Sequence, residues 1–252
     1  MSQDQRITAP VLGVPIDVIG WDGALARIGA WAAVNQSRYV CICNAHSVVT
    51  ATQDPSFGHI VAMADMATPD GAPVARMLRY AGHRSQQRVN GPDLMWRYCA
   101  LAARRGERIY LYGGTAATLD LLQQKLLAAF PGLVIAGARS PPFRVLTAEE
   151  EAADIARINA SGAGTVWVSL GCPKQEIWMA ARRGRINAVM IGVGAAFDYH
   201  AGTIRRAPLW MQHAGLEWLY RLAAEPQRLW RRYLVTNTLF ILGAAQHLFL
   251  KR

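Results

Sequence analysis

Residues 108–132 read RIYLYGGTAATLDLLQQKLLAAFPG, and this stretch decides the fold class. Its apolar run Arg108–Tyr112 predicts a buried strand that stops at two glycines. The helical pattern that follows begins at Thr115, a side chain that caps helix N-termini, and it stops at Pro131 and Gly132. A strand, a glycine turn and a helix in this order form part of a βαβ unit.

The same order of elements recurs along the chain. Apolar runs predict four further strands, at Tyr39–Cys43, Leu133–Ala136, Thr165–Leu170 and Ala188–Val193. Helical patterns are present at His46–Gln53, after a capping box formed by Thr147 and Glu150, and around Gln175–Arg183. The sequence therefore predicts an α/β fold with a Rossmann-like parallel sheet flanked by helices.

The composition indicates a folded chain with a basic C-terminal segment. Of the 252 residues, 52% are hydrophobic and 17% are charged, which excludes a disordered protein. The net charge is +10, and residues 203–252 hold eight basic and two acidic side chains with tryptophans and tyrosines among them. We expect an α/β domain at 1–202 and a helical, basic appendage at 203–252 that associates with an anionic membrane surface.

Three features predict a protein at the cytoplasmic face of a membrane. Residues 1–11 are polar and lack the apolar core of a signal peptide. The four cysteines form no disulfide framework, which favours a reducing compartment. The apolar stretch Tyr233–Leu250 is interrupted by polar residues, so we expect a helix that lies on a membrane and does not cross it.

Glycine-bearing turns mark the expected ligand site, because ligands of parallel sheets bind at the carboxyl ends of the strands. These turns contain Gly113 and Gly114, Gly171, and Gly192–Gly194. Amides of Gly113 and Gly114 at a helix start would suit a phosphate, although many such turns use glycine for geometry alone. The turn matches neither the dinucleotide-binding fingerprint nor a P-loop, which argues against an oxidoreductase.

Polar residues directly follow the predicted strand Thr165–Leu170. The ammonium of Lys174 and the amide of Gln175 would suit a phosphate and a sugar hydroxyl. The alternative is a solvated helix N-terminus in which Glu176 complements the helix dipole.

The turn Pro69-Asp70-Gly71 supplies one carboxylate at the end of an apolar stretch. An ordinary turn explains this tripeptide by itself. The functional alternative is that Asp70 is a general base, which requires one carboxylate within hydrogen-bond reach of an acceptor hydroxyl.

Three arginines of the C-terminal segment, Arg221, Arg228 and Arg231, have the spacing of one helix face, although Pro226 should interrupt that helix. They form either a solvated basic face or a clamp for a diphosphate. The chain has no Asp-x-Asp, and the Cys41, Cys43, His46 pattern lacks a second ligand pair, so we expect neither a metal site nor a cofactor.

Several of these segments together resemble the WecG/TagA/CpsF glycosyltransferases, which are glycosyltransferase family 26. The resemblance extends from about residue 13 to 232, and its most specific part lies in the C-terminal segment. The matching segments are NAHSVV (44–49), TPDGAPV (68–74), RVNGPDL (88–94), LYGG (111–114), SLGCPKQE (169–176), IGVGAAFD (191–198), AGTIRRAPLWMQ (201–212), GLEWLYRL (215–222) and EPQRLWRRY (225–233).

The resemblance implies an inverting, metal-independent transfer from a UDP-sugar to an undecaprenyl-diphosphate-linked saccharide at the cytoplasmic membrane face. It implies that Asp70 is the base, that Gln175 contacts the sugar, and that Arg221, Arg228 and Arg231 close over the donor. Further substrate-binding residues implied by the matched segments are Asn44, Arg88, Asn90, Gly91, Asp93 and Asp198.

Several alternatives remain open at this stage. The donor sugar is a hexose, an N-acetylhexosamine such as N-acetylmannosamine, or a uronic acid, and a homo-oligomer is compatible with the sequence. A UDP-sugar-binding protein without catalytic activity is the main alternative function. A nucleic-acid-binding protein is disfavoured, because the basic residues are interleaved with aliphatic side chains that suit a lipid or protein surface.

Overall fold

The computed structural model describes residues 6–249, with side chains for residues 6–246. A six-stranded sheet has the strand order β4-β3-β8-β7-β5-β6, and β1 and β2 form a separate hairpin. The pairings of β3 with β8, β8 with β7, β7 with β5 and β5 with β6 are all parallel. The strands are β1 (Thr8–Val11), β2 (Val14–Asp17), β3 (Arg38–Cys43), β4 (Met66–Pro69), β5 (Arg108–Gly113), β6 (Val134–Arg139), β7 (Thr165–Ser169) and β8 (Val189–Gly192).

Helices connect and follow these strands, so the predicted α/β fold with a parallel Rossmann-like sheet is confirmed. The helices are α1 (Trp21–Ala33), α2 (Ala45–Gln53), α3 (Pro55–Ala62), α4 (Ala72–Tyr80), α5 (Gly91–Arg105), α6 (Ala116–Ala129), α7 (Ala148–Ala160), α8 (Lys174–Arg182), α9 (Ala196–Ala201), α10 (Leu209–Ala214), α11 (Glu217–Ala224) and α12 (Pro226–Phe249).

The chain divides into two compact units. The first unit comprises the described parts of Met1–Gly20, Ile42–Asn90 and Arg205–Arg252, and the second comprises Trp21–Cys41 and Gly91–Ile204. The C-terminal segment therefore shares a unit with two earlier parts of the chain. Whether residues 203–252 act as a separable appendage stays a prediction.

The second unit contains the strand–turn–helix pattern from which the fold was predicted. Strand β5 is buried from its second residue onward, as is expected of a strand covered on both faces. Thr115 caps α6 by accepting a hydrogen bond from the Thr118 amide, and α7 begins with the predicted capping box of Thr147 and Glu150. Both predicted helix starts are confirmed. They could be predicted from the sequence because each depends on hydrogen bonds between residues no more than four positions apart.

The first unit contains the β1–β2 hairpin and the short buried strand β4. The Asp17 carboxylate at the end of β2 pairs with Arg6 at 2.8 Å and accepts from the Ala67 amide at 2.6 Å. Helix α12 packs against α2 in this unit, and His46 Nδ1 lies 3.4 Å from Thr236 Oγ1 across that contact.

The C-terminal segment forms three consecutive helices, α10, α11 and α12. Helix α11 ends at Ala224 and α12 begins at Pro226, so the predicted interruption at this proline is confirmed. The predicted interfacial stretch Tyr233–Leu250 lies within α12 up to Phe249. Leu250 and the basic residues Lys251 and Arg252 lie outside the described residues.

Across residues 6–249, no helix is both long enough and apolar enough to cross a membrane.

Candidate functional site

Asp70 directly follows β4 in the first unit, at the carboxyl end of that strand. Its backbone N–H donates to the carbonyl of Cys43, which ends β3, at 2.9 Å. Gly71, with φ of +84°, then turns the chain into α4. An L-residue is strained at this φ, so a glycine after the aspartate lets the chain turn while the carboxylate remains at the strand end. The predicted turn is therefore present, and it holds Asp70 where ligands of α/β sheets bind.

Backbone and side-chain bonds hold residues 88–89 beside this turn. The Val89 amide donates to the carbonyl of Pro69 at 3.0 Å, and the Thr68 hydroxyl donates to the carbonyl of Val89 at 3.1 Å. Thr68 and Val89 are both fully buried. Arg88 is consequently held next to Asp70 by bonds that do not involve its own side chain.

A chain of ion pairs surrounds the Asp70 carboxylate. Arg88 donates from Nε and from Nη2 to Asp70 Oδ1, each at 3.3 Å, and the same Nη2 donates to Glu217 Oε2 at 2.5 Å. Arg206 Nε donates to the other oxygen of Glu217 at 3.3 Å, and Arg206 Nη2 donates to Asn90 Oδ1 at 3.3 Å. The structure thus brings together the predicted Asp70, Arg88 and Asn90, with two residues that were not predicted.

The environment of Asp70 raises the pKa of its carboxyl group above its ordinary value. Burial is the main cause, Arg88 opposes the shift, and the negative charge of Glu217 adds to it. Burial by itself would lower the pKa of Arg88, but Asp70 and Glu217 outweigh it and raise that pKa, so the guanidinium stays charged. A carboxylate with a raised pKa is a stronger proton acceptor than an exposed one, as a general base requires.

Asn44, which was predicted to bind substrate, caps helix α2. Its side-chain oxygen accepts from the amides of His46 and Ser47 at 2.9 and 3.2 Å. A Cβ placed on Gly71 would lie 3.7 Å from the Asn44 Cβ, so Asn44 borders the Asp70 turn. The cap explains its conformation, and its contact with substrate stays a prediction.

In the second unit, the Gly113–Gly114 turn lies tightly against the end of β7. A Cβ on Gly113 would lie 2.3 Å from the carbonyl oxygen of Ser169, and Gly113 has φ of +116°. The Gly114 amide donates to that same carbonyl at 3.1 Å. Close backbone approach therefore explains the first glycine, and the phosphate-binding role of both glycines stays a prediction.

Gln175 joins the start of α8 to the turn after β8. Its side-chain oxygen accepts from the Gly194 amide, and its side-chain nitrogen donates to Glu176 Oε1 at 2.9 Å. Ser169 Oγ donates to the carbonyl of the same Gly194 at 2.7 Å. The ends of β7 and β8 are thus tied together by polar side chains at the edge where a ligand is expected.

The residues on either side of Gln175 differ in exposure. Lys174 is exposed, which is compatible with the predicted phosphate contact. Glu176 is buried, and burial raises the pKa of its carboxyl group although Gln175 partly opposes this. Glu176 lies in the first turn of α8, as the helix-dipole alternative requires, but the expectation that this residue is solvated is wrong, because its side chain is buried.

Three further predicted residues lie in the second unit. Gly91 begins α5, and a Cβ there would lie 3.1 Å from the carbonyl oxygen of Val193, so glycine permits close packing on the strand end. Asp93 lies in the first turn of α5 and is half-buried. Asp198 lies on α9, where its Oδ1 accepts a hydrogen bond from the Thr203 hydroxyl at 3.3 Å. Their contacts with substrate stay predictions.

The three C-terminal arginines lie on two helices of the first unit. Arg221 is on α11 and is half-buried, whereas Arg228 and Arg231 are exposed on α12. Arg228 pairs with Glu225 at 2.5 Å, and the Arg231 guanidinium lies 5.1 Å from the Trp230 ring centroid. The three arginines do not share a single helix face, and their contact with a diphosphate stays a prediction.

Helices α11 and α12 also form an apolar groove of about 360 Å³. Several large apolar side chains of the segment are exposed, including Trp210, Trp218 and Trp230. The groove is lined by Trp218, Leu222, Trp230, Tyr233, Leu234, Asn237, Thr238 and Ile241.

The described part of the chain contains no group of three or more His, Cys, Asp or Glu side chains placed to hold a metal ion.

Sequence reasoning missed Glu217 and Arg206 as members of the Asp70 cluster. A signal was present, because Glu217 and Glu225 are the only acidic residues of the basic segment 203–252. Each of these acids pairs with arginine in the structure: Glu217 with Arg88 and Arg206, and Glu225 with Arg228. An acid retained among so many cations indicates a specific ion pair, but the sequence does not reveal its partner.

Comparison with protein families gives one match across almost the entire chain. The model described as "Glycosyl transferase WecG/TagA/CpsF family" matches residues 9–252. The match includes parts of both units and all of the predicted site residues.

Proposed function

Because this chain belongs to the WecG/TagA/CpsF family of glycosyltransferases, we propose that it moves a sugar from a UDP-sugar to a polyprenyl-diphosphate-linked saccharide with inversion at the anomeric carbon. The family acts in the synthesis of cell-surface polysaccharides. The donor sugar in this proposal is a hexose, an N-acetylhexosamine or a uronic acid.

The observation that carries the proposed mechanism is the position of Asp70. Its carboxylate follows a buried strand, contacts Arg88 through one oxygen at 3.3 Å, and keeps 16% of its side-chain surface exposed. Burial raises the pKa of this group, and Arg88 partly opposes the rise. A partly accessible carboxylate of this kind fits a general base that removes a proton from the acceptor hydroxyl.

In the proposed reaction, the acceptor oxygen attacks the anomeric carbon as Asp70 takes its proton. The bond from that carbon to the UDP oxygen breaks on the opposite face, so one displacement inverts the configuration. UDP leaves as an anion, and we assign its neutralisation to Arg221, Arg228 and Arg231. Fixed cations next to a developing negative charge strongly stabilise the transition state. Removal of one would reduce the rate on the order of a hundredfold.

Residues of the second unit are proposed to bind the donor. Lys174 is exposed at the start of α8 and supplies an ammonium for a phosphate. The side-chain amide of Gln175 already bonds to Gly194 and Glu176. We propose that it makes a further hydrogen bond to the sugar. Gly91 and Gly113 permit the backbone to approach closely at the strand ends, and the Gly113 and Gly114 turn is proposed to bind a phosphate of the donor.

The C-terminal helices are proposed to bring the enzyme to the inner face of a membrane, where a lipid-linked acceptor is located. Exposed Trp210 and Trp230 supply side chains that favour the membrane interface. Exposed Arg228 and Arg231 supply charge that attracts anionic lipid. Together they support a peripheral, cytoplasmic location.

The proposal is tested by assaying the full chain with a panel of UDP-sugars and a polyprenyl-diphosphate-linked saccharide in the presence of EDTA. We expect one donor to yield a glycosylated lipid and free UDP at a rate that EDTA does not change. UDP-sugar binding without product from any donor would instead support the non-catalytic alternative.

The role of Asp70 is tested with Asp70→Asn, which keeps the shape but cannot accept a proton in the same way. We expect transfer to fall by about a hundredfold or more while UDP binding is retained. Asp120→Asn, at an exposed position on α6, is the matched control and should keep wild-type activity. Full activity of Asp70→Asn would exclude Asp70 as the base.

A further inference from the structure

We infer that Glu217 is a positioning residue that holds Arg88 in a one-oxygen contact with Asp70 and so leaves the second carboxylate oxygen of Asp70 for the acceptor. This inference rests on the proposed function, in which Asp70 is the base. It assigns to the C-terminal helix α11 a role in the chemistry at Asp70, through a residue that touches Arg88.

The geometry of Arg88 carries the inference. Both of its bonds to Asp70 end on Oδ1 and are long, at 3.3 Å, whereas its bond to Glu217 measures 2.5 Å. An arginine that faces a single carboxylate commonly forms two parallel bonds to both oxygens. Here Nη2 is shared between two carboxylates, so the guanidinium is drawn toward Glu217 and does not make that two-oxygen pair.

Glu217 is itself held in place from the opposite side. Its Oε1 accepts from Arg206 Nε at 3.3 Å, while its Oε2 faces Arg88. Arg206 is fixed in turn by its bond to Asn90 Oδ1 at 3.3 Å, and Asn90 is buried. Because the Glu217 side chain is only 15% exposed, solvent competes little for either oxygen.

The charges around Asp70 determine the direction in which loss of the Glu217 charge would shift the pKa of Asp70. Arg88, from the segment before α5, lowers the pKa of Asp70, and Glu217, from α11, raises it. Arg206 stands behind Glu217 and pairs with it. Loss of the Glu217 charge would remove one raising influence and would free Arg88 to bind both Asp70 oxygens, so both consequences lower the pKa of Asp70.

A lower pKa at Asp70 has two kinetic effects. The base is active when deprotonated, and the deprotonated fraction rises as the pH rises through the pKa, so a lower pKa moves the acid limb of kcat/KM to lower pH. A less basic carboxylate also accepts a proton less readily, so kcat on the plateau falls. A purely structural role for Glu217 in α11 would change stability without moving the acid limb.

The test uses the full chain with Glu217→Gln, which keeps the size of the side chain and removes its charge. The carboxyl pKa of Asp70 is measured by carbon-13 NMR on the free protein, with the signal assigned by its absence in Asp70→Asn. We expect a lower Asp70 pKa, an acid limb shifted to lower pH by the same amount, and a plateau kcat reduced about threefold to tenfold.

Two further variants make the result specific. Glu225→Gln changes the same charge on the same segment, where Glu225 pairs with Arg228, and it should leave the pKa of Asp70 unchanged. Glu217→Asp keeps the charge but shortens the side chain, and we expect a smaller fall in the pKa of Asp70 and in kcat. This variant also provides the test if circular dichroism shows that Glu217→Gln does not fold.

Wild-type values of the Asp70 pKa and of kcat in whichever Glu217 variant folds would overturn the inference. Its failure differs from failure of the proposed function. If Asp70→Asn keeps full activity, Asp70 is not the base, whereas an inactive Asp70→Asn combined with a wild-type-like Glu217 variant removes only the role of Glu217.

Discussion

The side-chain oxygen of Gln175 accepts a hydrogen bond from the backbone N–H of Gly194 at 3.1 Å. This bond joins the first turn of α8 to the segment after β8, 19 residues further along the chain. Gln175 is buried, and a Cβ on Gly192 would lie 3.0 Å from its side-chain amide, so this amide packs directly on the strand end. A residue predicted to contact the donor therefore also holds the expected donor site together.

We expect Gln175→Ala to destabilise the protein as well as impair transfer. The substitution removes the hydrogen bond that the Gly194 amide donates to Gln175 and one of the hydrogen bonds to the buried Glu176 carboxyl group, and an unsatisfied buried polar group costs about 1–3 kcal/mol. The measurement is the free energy of unfolding in urea. Gln123→Ala, which removes one side-chain bond to the Leu119 carbonyl on α6, is the control and should cost less. Equal stability of Gln175→Ala and the wild type would mean that the amide serves ligand contact alone.

The close contact between the backbones of Gly113 and Ser169 predicts that a side chain at position 113 destabilises the second unit. In Gly113→Ala, the new Cβ would lie 2.3 Å from a backbone oxygen at a residue with φ of +116°, so backbone must move. We expect a loss of more than about 3 kcal/mol in the free energy of unfolding, because overpacking and backbone strain add.

The matched control for this glycine is Gly106→Ala. Gly106 also has a positive φ, of +65°, but a Cβ there meets no atom within 4 Å. Its cost should be limited to about 1–2 kcal/mol for the left-handed conformation. Similar losses for the two variants would show that the contact with Ser169 relaxes easily.

His46 predicts a pH dependence of stability in the first unit. Burial, with a smaller effect of Arg232, lowers the pKa of His46 from 6.5 to about 4. The unfolded chain binds this proton more readily than the folded chain does. The contribution of neutral His46 to the free energy of unfolding is therefore complete above pH 6.5 and is lost as the pH falls toward 4. The expected loss is on the order of 1–3 kcal/mol.

The measurement is the free energy of unfolding at pH 7 and pH 4.5 for the wild type and for His46→Asn. We expect the variant to lose much of the difference between the two pH values, because asparagine does not titrate. His213→Asn, at an exposed position, should keep the wild-type difference. A wild-type pH dependence in His46→Asn would show that other groups are responsible.

The sequence predicted those parts of the fold that depend on neighbouring residues. Strands β5, β7 and β8 are continuous apolar runs next to glycine turns, and the Thr115 and Thr147 caps act within one helical turn, so local patterns were sufficient. Strands β1, β2 and β4 were not predicted. Each has four residues, and each contains a proline, which disfavours a strand prediction.

The candidate site was predictable only in part for a similar reason. Asp70, Arg88 and Asn90 lie within 21 consecutive residues that resemble the family, so they could be proposed together. Glu217 and Arg206 reach this cluster from more than 100 residues away, as the separation of 129 residues between Arg88 and Glu217 shows. Only tertiary structure brings such charges together. The helical spacing of residues within 203–252 carries no information about which residues of 70–90 they contact.

The exposed tryptophans of the C-terminal segment give the last prediction, which concerns membrane association. Trp210 is 65% exposed and Trp230 is 48% exposed. If they enter the membrane interface, replacing both by serine removes apolar contact worth about 1.5–3 kcal/mol for each large side chain that would be fully buried. We expect Trp210→Ser combined with Trp230→Ser to weaken binding to vesicles containing anionic phospholipid by at least about tenfold, measured by sedimentation at fixed ionic strength.

Phe143→Ser is the control, because Phe143 is 91% exposed but lies outside the C-terminal segment. If the double variant binds vesicles as the wild type does, these tryptophans have another role, and if Phe143→Ser weakens binding equally, the membrane-contacting surface is not confined to α10–α12.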